Sequence, residues 1–482
     1  MSEPRRLHPI SAVINCLKQL KDLLIPFLVF VVFGSKNGLF QLIVSVGIIV
    51  IVLIAGILTW LRFTYRLEEG ELRIEYGVFV RKKRYIPFER IQSLDLSEGI
   101  LQRPFNLVKV KVETAGSGGE AEAVLTAISK AEADSIQQVL TSAQQASFNE
   151  NEEFNQEKPK EEIVYKITFK QLLLLSSTSG GVGVVISAVF AFIFQFEEVI
   201  PYEKIFSGLE DVISSGVMMI SFLVLIGFFI AWAVALIGMM LKYSDFTVKK
   251  VDEDLIITRG LLEKRQLTIP LYRIQAIRIS ENLVRQPLGL GTVYMESAGG
   301  SLENAESARV MLLPIVKSKE IMGILSPYIP DYCFDPVIKP LPNRALRRYL
   351  FRGLVVILPL AVLAMIFFSP WGYLSILFIL LAIVLSYFKY RDAGWKVDDQ
   401  QLSLRYRSII RNTVYMKRNR IQTVSVRESY FQNKKDLASI EATAMSGTGG
   451  TGGLVADLEK KDACVIYQWY SYTKSEEFLK EI

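Results

Sequence analysis

The chain has one histidine, His8, and three cysteines, Cys16, Cys333 and Cys464, in 482 residues. A single histidine excludes a histidine-dependent triad and any multi-histidine metal centre, because the residues do not exist. The cysteines lie far apart, hold no metal spacing, and are odd in number; they read as reduced side chains in a cytoplasmic setting, not as a disulfide framework. None of the glycine-rich turns carries Gly-Lys-Ser/Thr ahead of a helix, so they read as hairpin turns and not as phosphate loops. Bases do not form a stripe interleaved with aromatics, which argues against nucleic acid. No small-residue cleavage site follows the first apolar run, so that run is expected to stay as an anchor. With no histidine, thiolate or paired-carboxylate constellation, no catalytic residue, cofactor or metal is expected.

What is present is apolar sequence. The chain is 51% hydrophobic with a mean hydropathy of +0.30, yet 22% charged. Length suggests about three domains, and the composition predicts membrane segments alternating with water-soluble ones. Apolar runs of spanning length fall in three pairs: Leu17–Gly34 with Leu39–Leu61, Leu172–Phe194 with Val212–Leu241, and Leu350–Phe368 with Trp371–Phe388. Lys18 and Lys21 reach the interface by snorkelling. No acid or base lies in the central turns of these runs, which favours anchors over an ion pathway. Ser177 with Gly181 and Ser179 with Gly183, four apart, suggest close helix packing, with a broken-helix ion site over Ser176–Gly183 as the alternative, and Gly216, Gly227 and Gly238, eleven apart, suggest a helix contact.

Charge gives the orientation. The middle turn, Gln195–Asp211, holds five acids and one lysine. Arg5, Arg6, Lys18, Lys21, Arg62, Arg66, Lys242, Arg344, Arg347, Arg348, Lys389 and Arg391 flank the outer ends. The positive-inside rule then places both termini and the long segments in the cytoplasm. The stretch 148–162, with six acids and two lysines, reads as a flexible acidic linker, with a docking segment for a basic partner as the alternative.

The soluble stretches repeat. Ile86–Gly116 reappears 183 residues later as Ile269–Gly299 without a gap, and a third copy joins at a further 147. Leu72, Leu255 and Leu402 align, as do Glu98, Glu281 and Glu428. The sharpest shared feature is Arg90-Ile91-Gln92, Arg273-Ile274-Gln275 and Arg420-Ile421-Gln422. These arginines could hold a phosphate or a partner carboxylate. The simpler reading makes the isoleucine core and lets Arg and Gln satisfy backbone groups at a strand start. The third copy diverges: Lys417 stands where the others have Pro87 and Pro270, and Arg407 where they have Gly77 and Gly260. Val108, Val110 and Val112 alternate with Lys109, Lys111 and Glu113, a half-buried strand. Ser129-x-x-Glu132 and Thr473-x-x-Glu476 fit capping boxes for closing helices, the first with a stripe of Ile136, Val139 and Leu140.

On these residues, with Gln102-Arg103-Pro104 and Glu113-Thr114-Ala115-Gly116 in copy one and Arg285-Gln286-Pro287 and Glu296-Ser297-Ala298-Gly299 in copy two, the chain resembles the bacterial pleckstrin-homology (PH) domain membrane proteins, the domain of unknown function 304 group, and among them the three-domain proteins of bacilli. The resemblance covers nearly the whole chain and is partial for copy three. It implies an α+β membrane protein: three transmembrane helical hairpins (six helices) alternating with three cytoplasmic PH-like β-barrel or sandwich domains, each closed by a C-terminal helix. The expected division is tail and hairpin over 1–62, domain over 63–147, linker over 148–162, hairpin over 163–242, domain over 243–332, linker and hairpin over 333–394, and divergent domain over 395–482.

Eukaryotic domains of this fold typically hold phosphoinositides with a basic first loop, but here Leu67–Glu71, Val251–Leu255 and Val397–Gln401 are acidic. The next turn is basic: Arg81, Lys82, Lys83 and Arg84 in copy one, Lys264 and Arg265 in copy two, and Arg411 in copy three. It is expected to rest on the anionic inner leaflet; a merely solvated turn is the alternative. Three tethered copies multiply weak contacts, which suits a scaffold or adaptor. The resemblance implies a smaller PH-like membrane protein as companion and a role in envelope maintenance or resistance to membrane-active compounds. A lipid-handling or transport protein that uses the helical bundle is the alternative.

Overall fold

The computed structural model describes residues 4–33, 38–114, 123–146, 161–179, 217–297, 309–334, 336–368, 371–446 and 450–471. Period-two patterning builds its strands: Val108, Val110 and Val112 are buried while Lys109 and Lys111 are half-buried. The first unit runs β1 (Arg5–Arg6), α1 (Ile10–Phe33), α2 (Gly38–Arg62), β2 (Thr64–Glu68), β3 (Glu71–Tyr76), β4 (Lys82–Pro87), β5 (Ile91–Glu98), β6 (Leu107–Thr114), β7 (Ala123–Ser129) and α3 (Lys130–Ala146). The second runs β8 (Glu161–Lys166), α4 (Phe169–Ser177), α5 (Val217–Tyr243), β9 (Thr247–Val251), β10 (Asp254–Arg259), β11 (Lys264–Pro270), β12 (Ile274–Glu281), β13 (Leu290–Ser297), β14 (Arg309–Lys317) and α6 (Ile321–Leu325). The third runs β15 (Lys339–Pro340), α7 (Arg344–Phe367), α8 (Ser375–Asp392), β16 (Gly394–Asp398), β17 (Gln401–Arg407), β18 (Arg411–Lys417), β19 (Ile421–Arg427), α9 (Tyr430–Asn433), β20 (Leu437–Ala444), β21 (Thr451–Glu459) and α10 (Lys460–Tyr470).

The repeat is visible in the backbone. Glu69, Asp252 and Asp399, in the acidic turns that open the three copies, all take positive φ. Asn106, Gly289 and Asp436, at one shared position before β6, β13 and β20, do the same. Asn, Asp and Gly tolerate this left-handed conformation best, so Asp252 and Asp399 have a conformational reason to be there.

Each unit has a four-stranded and a three-stranded antiparallel half, and the halves of neighbouring units join. The sheet orders are β1-β2-β3-β4, β7-β6-β5-β11-β10-β9-β8, β14-β13-β12-β18-β17-β16-β15 and β19-β20-β21. Three cores result, centred on Leu72, Val112 and Leu125; on Phe246, Ile277 and Leu312; and on Leu402, Val414 and Ile440.

Each unit also begins earlier than the sequence suggests. β1, β8 and β15 precede their helical pairs, yet pair with β2, β9 and β16 after them. Glu161 and Glu162, read as the end of a linker, therefore start a strand of the second domain; 147–160 lie outside the described residues. The closing helix of the third unit is Lys460–Tyr470, not a helix capped at Thr473, which lies outside the described residues. In α3 the Ser129–Glu132 box forms, but the buried positions are Ala133 and Ile136, while Val139 is exposed and nothing is described of the Leu140 side chain.

Among the described residues, three helical segments are long and apolar enough to cross a membrane: Leu225–Tyr243, Arg344–Phe367 and Gly372–Asp392. That is fewer than the six expected spans. α1 and α2 are helices of 24 and 25 residues; α4 ends at Ser177, and residues 180–216, including the expected turn Gln195–Asp211 with Gly181, Gly183 and Gly216, lie outside the described residues. Gly227 and Gly238 would meet nothing among the described atoms if a Cβ were added, so the helix contact expected there is not made by described residues. The close helix approaches fall elsewhere: an added Cβ would lie 2.2 Å from Cys16 Sγ at Gly56, and 1.9 Å from Ser386 Oγ at Gly353.

Candidate interaction surfaces at the domain junctions

Two junctions bring the motif residues together, and both are strand pairings. At the first, β5 runs antiparallel to β11, with Leu94 opposite Thr268 and Glu98 opposite Lys264. At the second, β12 runs antiparallel to β18, with Ile277 opposite Tyr415 and Glu281 opposite Arg411. Repeat positions coincide in the two cases, so one register is used twice. A strand pairing supplies a row of backbone hydrogen bonds, while side chains fix the register.

Charged pairs cross both junctions. Arg265 reaches Asp95 at 2.9 Å across the first. Across the second, Arg411 pairs with Glu281, whose other oxygen accepts from Ser318 Oγ at 2.7 Å. Arg103 adds a bond of 2.6 Å to the Leu261 carbonyl, and Ser280 lies 2.6 Å from Asn412. Lys264 and Arg265, expected at the leaflet, thus stand on a strand that binds the preceding domain.

The repeated arginines cross these junctions. Arg273 donates to the Ile91 carbonyl of the first domain, and Arg420 donates to the Tyr272 carbonyl of the second at 2.6 Å. Gln275 donates to the Arg273 carbonyl at 3.2 Å. Arg90, at the same position in the first domain, is exposed, Gln422 is exposed, and nothing is described of the Gln92 side chain. The arginines therefore satisfy backbone carbonyls, but those of the neighbouring domain.

Sequence reading missed three junction residues. Arg278 is 4% exposed and holds Glu296 at 2.8 Å, Thr451 at 2.8 Å, and Tyr406 across the second junction. Burial opposes its charge, but Tyr406 and Glu296 outweigh burial and raise its pKa above the usual arginine value. Tyr415, from β18, is buried in the core of the second domain, while Ala276 belongs to that of the third. Arg407, which replaces a glycine of positive φ, is buried between Asp392 and Gln286. The departure from glycine in copy three was the one signal that could have found it.

The other junction surfaces are open. The outer edges of β4 and β19 have no strand partner among the described residues. Arg81 and Lys82 are exposed there, with Arg81 paired to Glu75. Near the first junction, Asp254 is raised to about 6 by burial and by Asp252, against the pull of Arg273. No group of three metal-ligating side chains occurs among the described residues.

The bacterial PH domain family profile matches residues 23–144, 190–329 and 352–474. The chain is 40% identical, over an alignment of 492 residues covering 99% of it and 100% of the relative, to the UPF0699 transmembrane protein YdbT of Bacillus subtilis (strain 168). It is also 38% identical over 53 residues, 11% of it and 33% of the relative, to the UPF0699 transmembrane protein YdbS of the same organism. No solved structure matches it.

Proposed function

The chain belongs to the bacterial PH domain family, and from that membership we propose that it is a non-enzymatic, multi-pass membrane scaffold presenting three PH-like domains at the cytoplasmic face. The observation that carries this reading is the joining of sheets at both junctions, which makes three recognition modules one continuous β body. A chain that builds domain–domain pairing into its own repeat is suited to extend the pairing to other proteins.

The membrane topology in this reading has six spans in three hairpins. Support comes from sheet pairing: β1 with β2, β8 with β9 and β15 with β16 return the chain to one sheet after each apolar excursion. An excursion that starts and ends in one sheet crosses the bilayer an even number of times. Exposed Phe351, Ile366, Phe367 and Leu377 suit lipid-facing positions on α7 and α8. The basic flanks place the termini and the domains inside, and the exposed bases of β4 rest on the anionic leaflet. The companion is a smaller PH-like membrane protein, and the role is in envelope maintenance or resistance to membrane-active compounds.

The test is crosslinking of the intact protein in cells, followed by purification and identification of what is attached. A stoichiometric membrane-protein partner is the expected result. Tightly and selectively bound lipid alone would overturn the reading in favour of lipid handling.

A further inference from the structure

Inside the chain, each of the first two three-stranded halves offers an edge strand, and the four-stranded half of the next unit covers it. β5 is covered by β11, and β12 by β18. β19 is the third member of the series and carries no strand partner on that edge among the described residues; only at its start does Tyr470 Oη, from α10, donate to the Ile421 carbonyl at 3.2 Å, where the Ile91 carbonyl accepts from Arg273 in the first junction. Its state is that of an uncovered junction. Leu94 and Ile277 are 7% and 0% exposed under their partners, whereas Val424, at the same repeat position, is only half-buried. Thr423 is exposed where Ala276 is buried.

The acid that closes the second junction has a counterpart here. Glu281 stands opposite Arg411 and pairs with it, and Glu98 stands opposite Lys264 in the same register. Glu428 stands at the third such position. One of its oxygens meets Lys460 at 3.3 Å, as Glu98 meets Lys130 at 2.9 Å. Its other oxygen, Oε1, is buried with no hydrogen-bond partner among the described residues. A buried carboxylate oxygen without a donor is costly, and in the second junction the corresponding glutamate satisfies both oxygens, with Ser318 and Arg411.

A second copy of the chain would present β4, and the charges do not match. In the shared register Lys82 takes the place of Arg265 and Asn412, which face Ser97 and Ser280. On β19 that place faces Arg427, so two like charges would be opposed. Arg81, Lys82, Lys83 and Arg84 also bring four bases to a strand edge that offers Glu428 alone. The strand that suits an edge with one acid is one like β18: Arg411 followed by the uncharged Asn412, Thr413 and Val414.

Resting on the adaptor reading above, we propose that the free edge of β19 docks the third strand of a PH-like domain carried by another chain. The pairing is antiparallel, in the register of the two internal junctions, and Glu428 closes it on a single base near the start of the incoming strand. The occupant is a smaller PH-like membrane protein whose strand is otherwise uncharged.

The experiment uses the full-length chain in membranes, co-expressed with the B. subtilis YdbS protein, with a photo-crosslinking benzophenone residue in place of Ser425. The expected product is an adduct of the two chains. Its yield should fall about tenfold in the Glu428→Lys background and less in Glu428→Gln, which keeps a hydrogen-bonding side chain. An unchanged melting temperature of both variants shows that β19 still pairs with β20. If YdbS co-purifies without an adduct at Ser425, and Glu428→Lys changes nothing, the β19 proposal falls and the adaptor reading stands. An adduct with the mass of two copies of this chain overturns the choice of occupant. Neither adduct nor co-purification overturns both.

Discussion

Arg278 shows what a junction asks of a single side chain. It lies on β12 in the second domain, yet two of its three side-chain nitrogens bond to the third. Its carboxylate partner Glu296 is 1% exposed and is also held by Arg309 at 3.0 Å. Removing one member of a buried pair leaves an uncompensated charge, so Arg278→Ala is expected to destabilise the chain by about 3 kcal/mol, the low end for such a loss because Arg309 remains. Arg278→Met combined with Glu296→Leu should cost less; chemical denaturation of the two variants in detergent checks the order. Asp254 gives a pH signature. Its folded pKa of about 6 lies above the ordinary carboxyl value. Between about 4 and 6 the folded chain therefore holds a proton that the unfolded chain has lost, and stability falls as pH rises through that window. Asp254→Asn should flatten this part of a melting-temperature profile. Neither residue was legible in the sequence, because an arginine in an apolar strand and an acid beside an acidic turn look alike whether exposed or covered; what covers them comes from far along the chain.

Helices and strands were legible to different degrees. The strand repeat was plain, since turns at Asn106, Gly289 and Asp436 keep the copies in step without a gap between the first two. The short strands ahead of the helical pairs were not, because two residues such as Arg5–Arg6 or Lys339–Pro340 carry no periodicity. Small residues in the apolar runs were visible, but not which of them meet a neighbour: Gly227 and Gly238 meet nothing described, while Gly353 lies against Ser386. Gly353→Leu is expected to part α7 from α8 at about 1–3 kcal/mol. Gly353→Ala should cost less, and Ser386→Gly should restore it by clearing the nearest atom. Melting temperatures of the three variants in detergent read the series. The basic strand β4 has its own test. Arg81, Lys82, Lys83 and Arg84 each contribute about 1 kcal/mol at an anionic surface, so reversing all four to glutamate should lower lipid crosslinking of the first domain. Unchanged crosslinking would leave these bases as guards of an open edge.

At the scale of the molecule, the three domains were legible as three, but not as one. Sequence patterning marks which face of a strand is buried, and says nothing of which edge pairs with which, because backbone groups are the same in every residue. The nearest hint was β12, where Ile274, Ala276, Ile277 and Ile279 are buried along both faces, because Ile277 packs into the core of the second domain and Ala276 into that of the third. Shared sheets have a thermodynamic consequence. A domain that unfolds alone must strip an edge strand from its neighbour and expose that neighbour's core side chains, Tyr415 among them. The soluble part of the intact chain is therefore expected to melt in one calorimetric transition. Asp95 and Arg265, at 2.9 Å across the first junction, offer a way to break that coupling without touching either core. Asp95→Arg sets like charges against each other and should split off a transition for the first domain. The double exchange of Asp95→Arg with Arg265→Asp should restore a single transition, with a coupling energy of about 1–3 kcal/mol. Because both variants carry Asp95→Arg, any damage it does inside the first domain is common to them, and only the junction distinguishes the two melting curves.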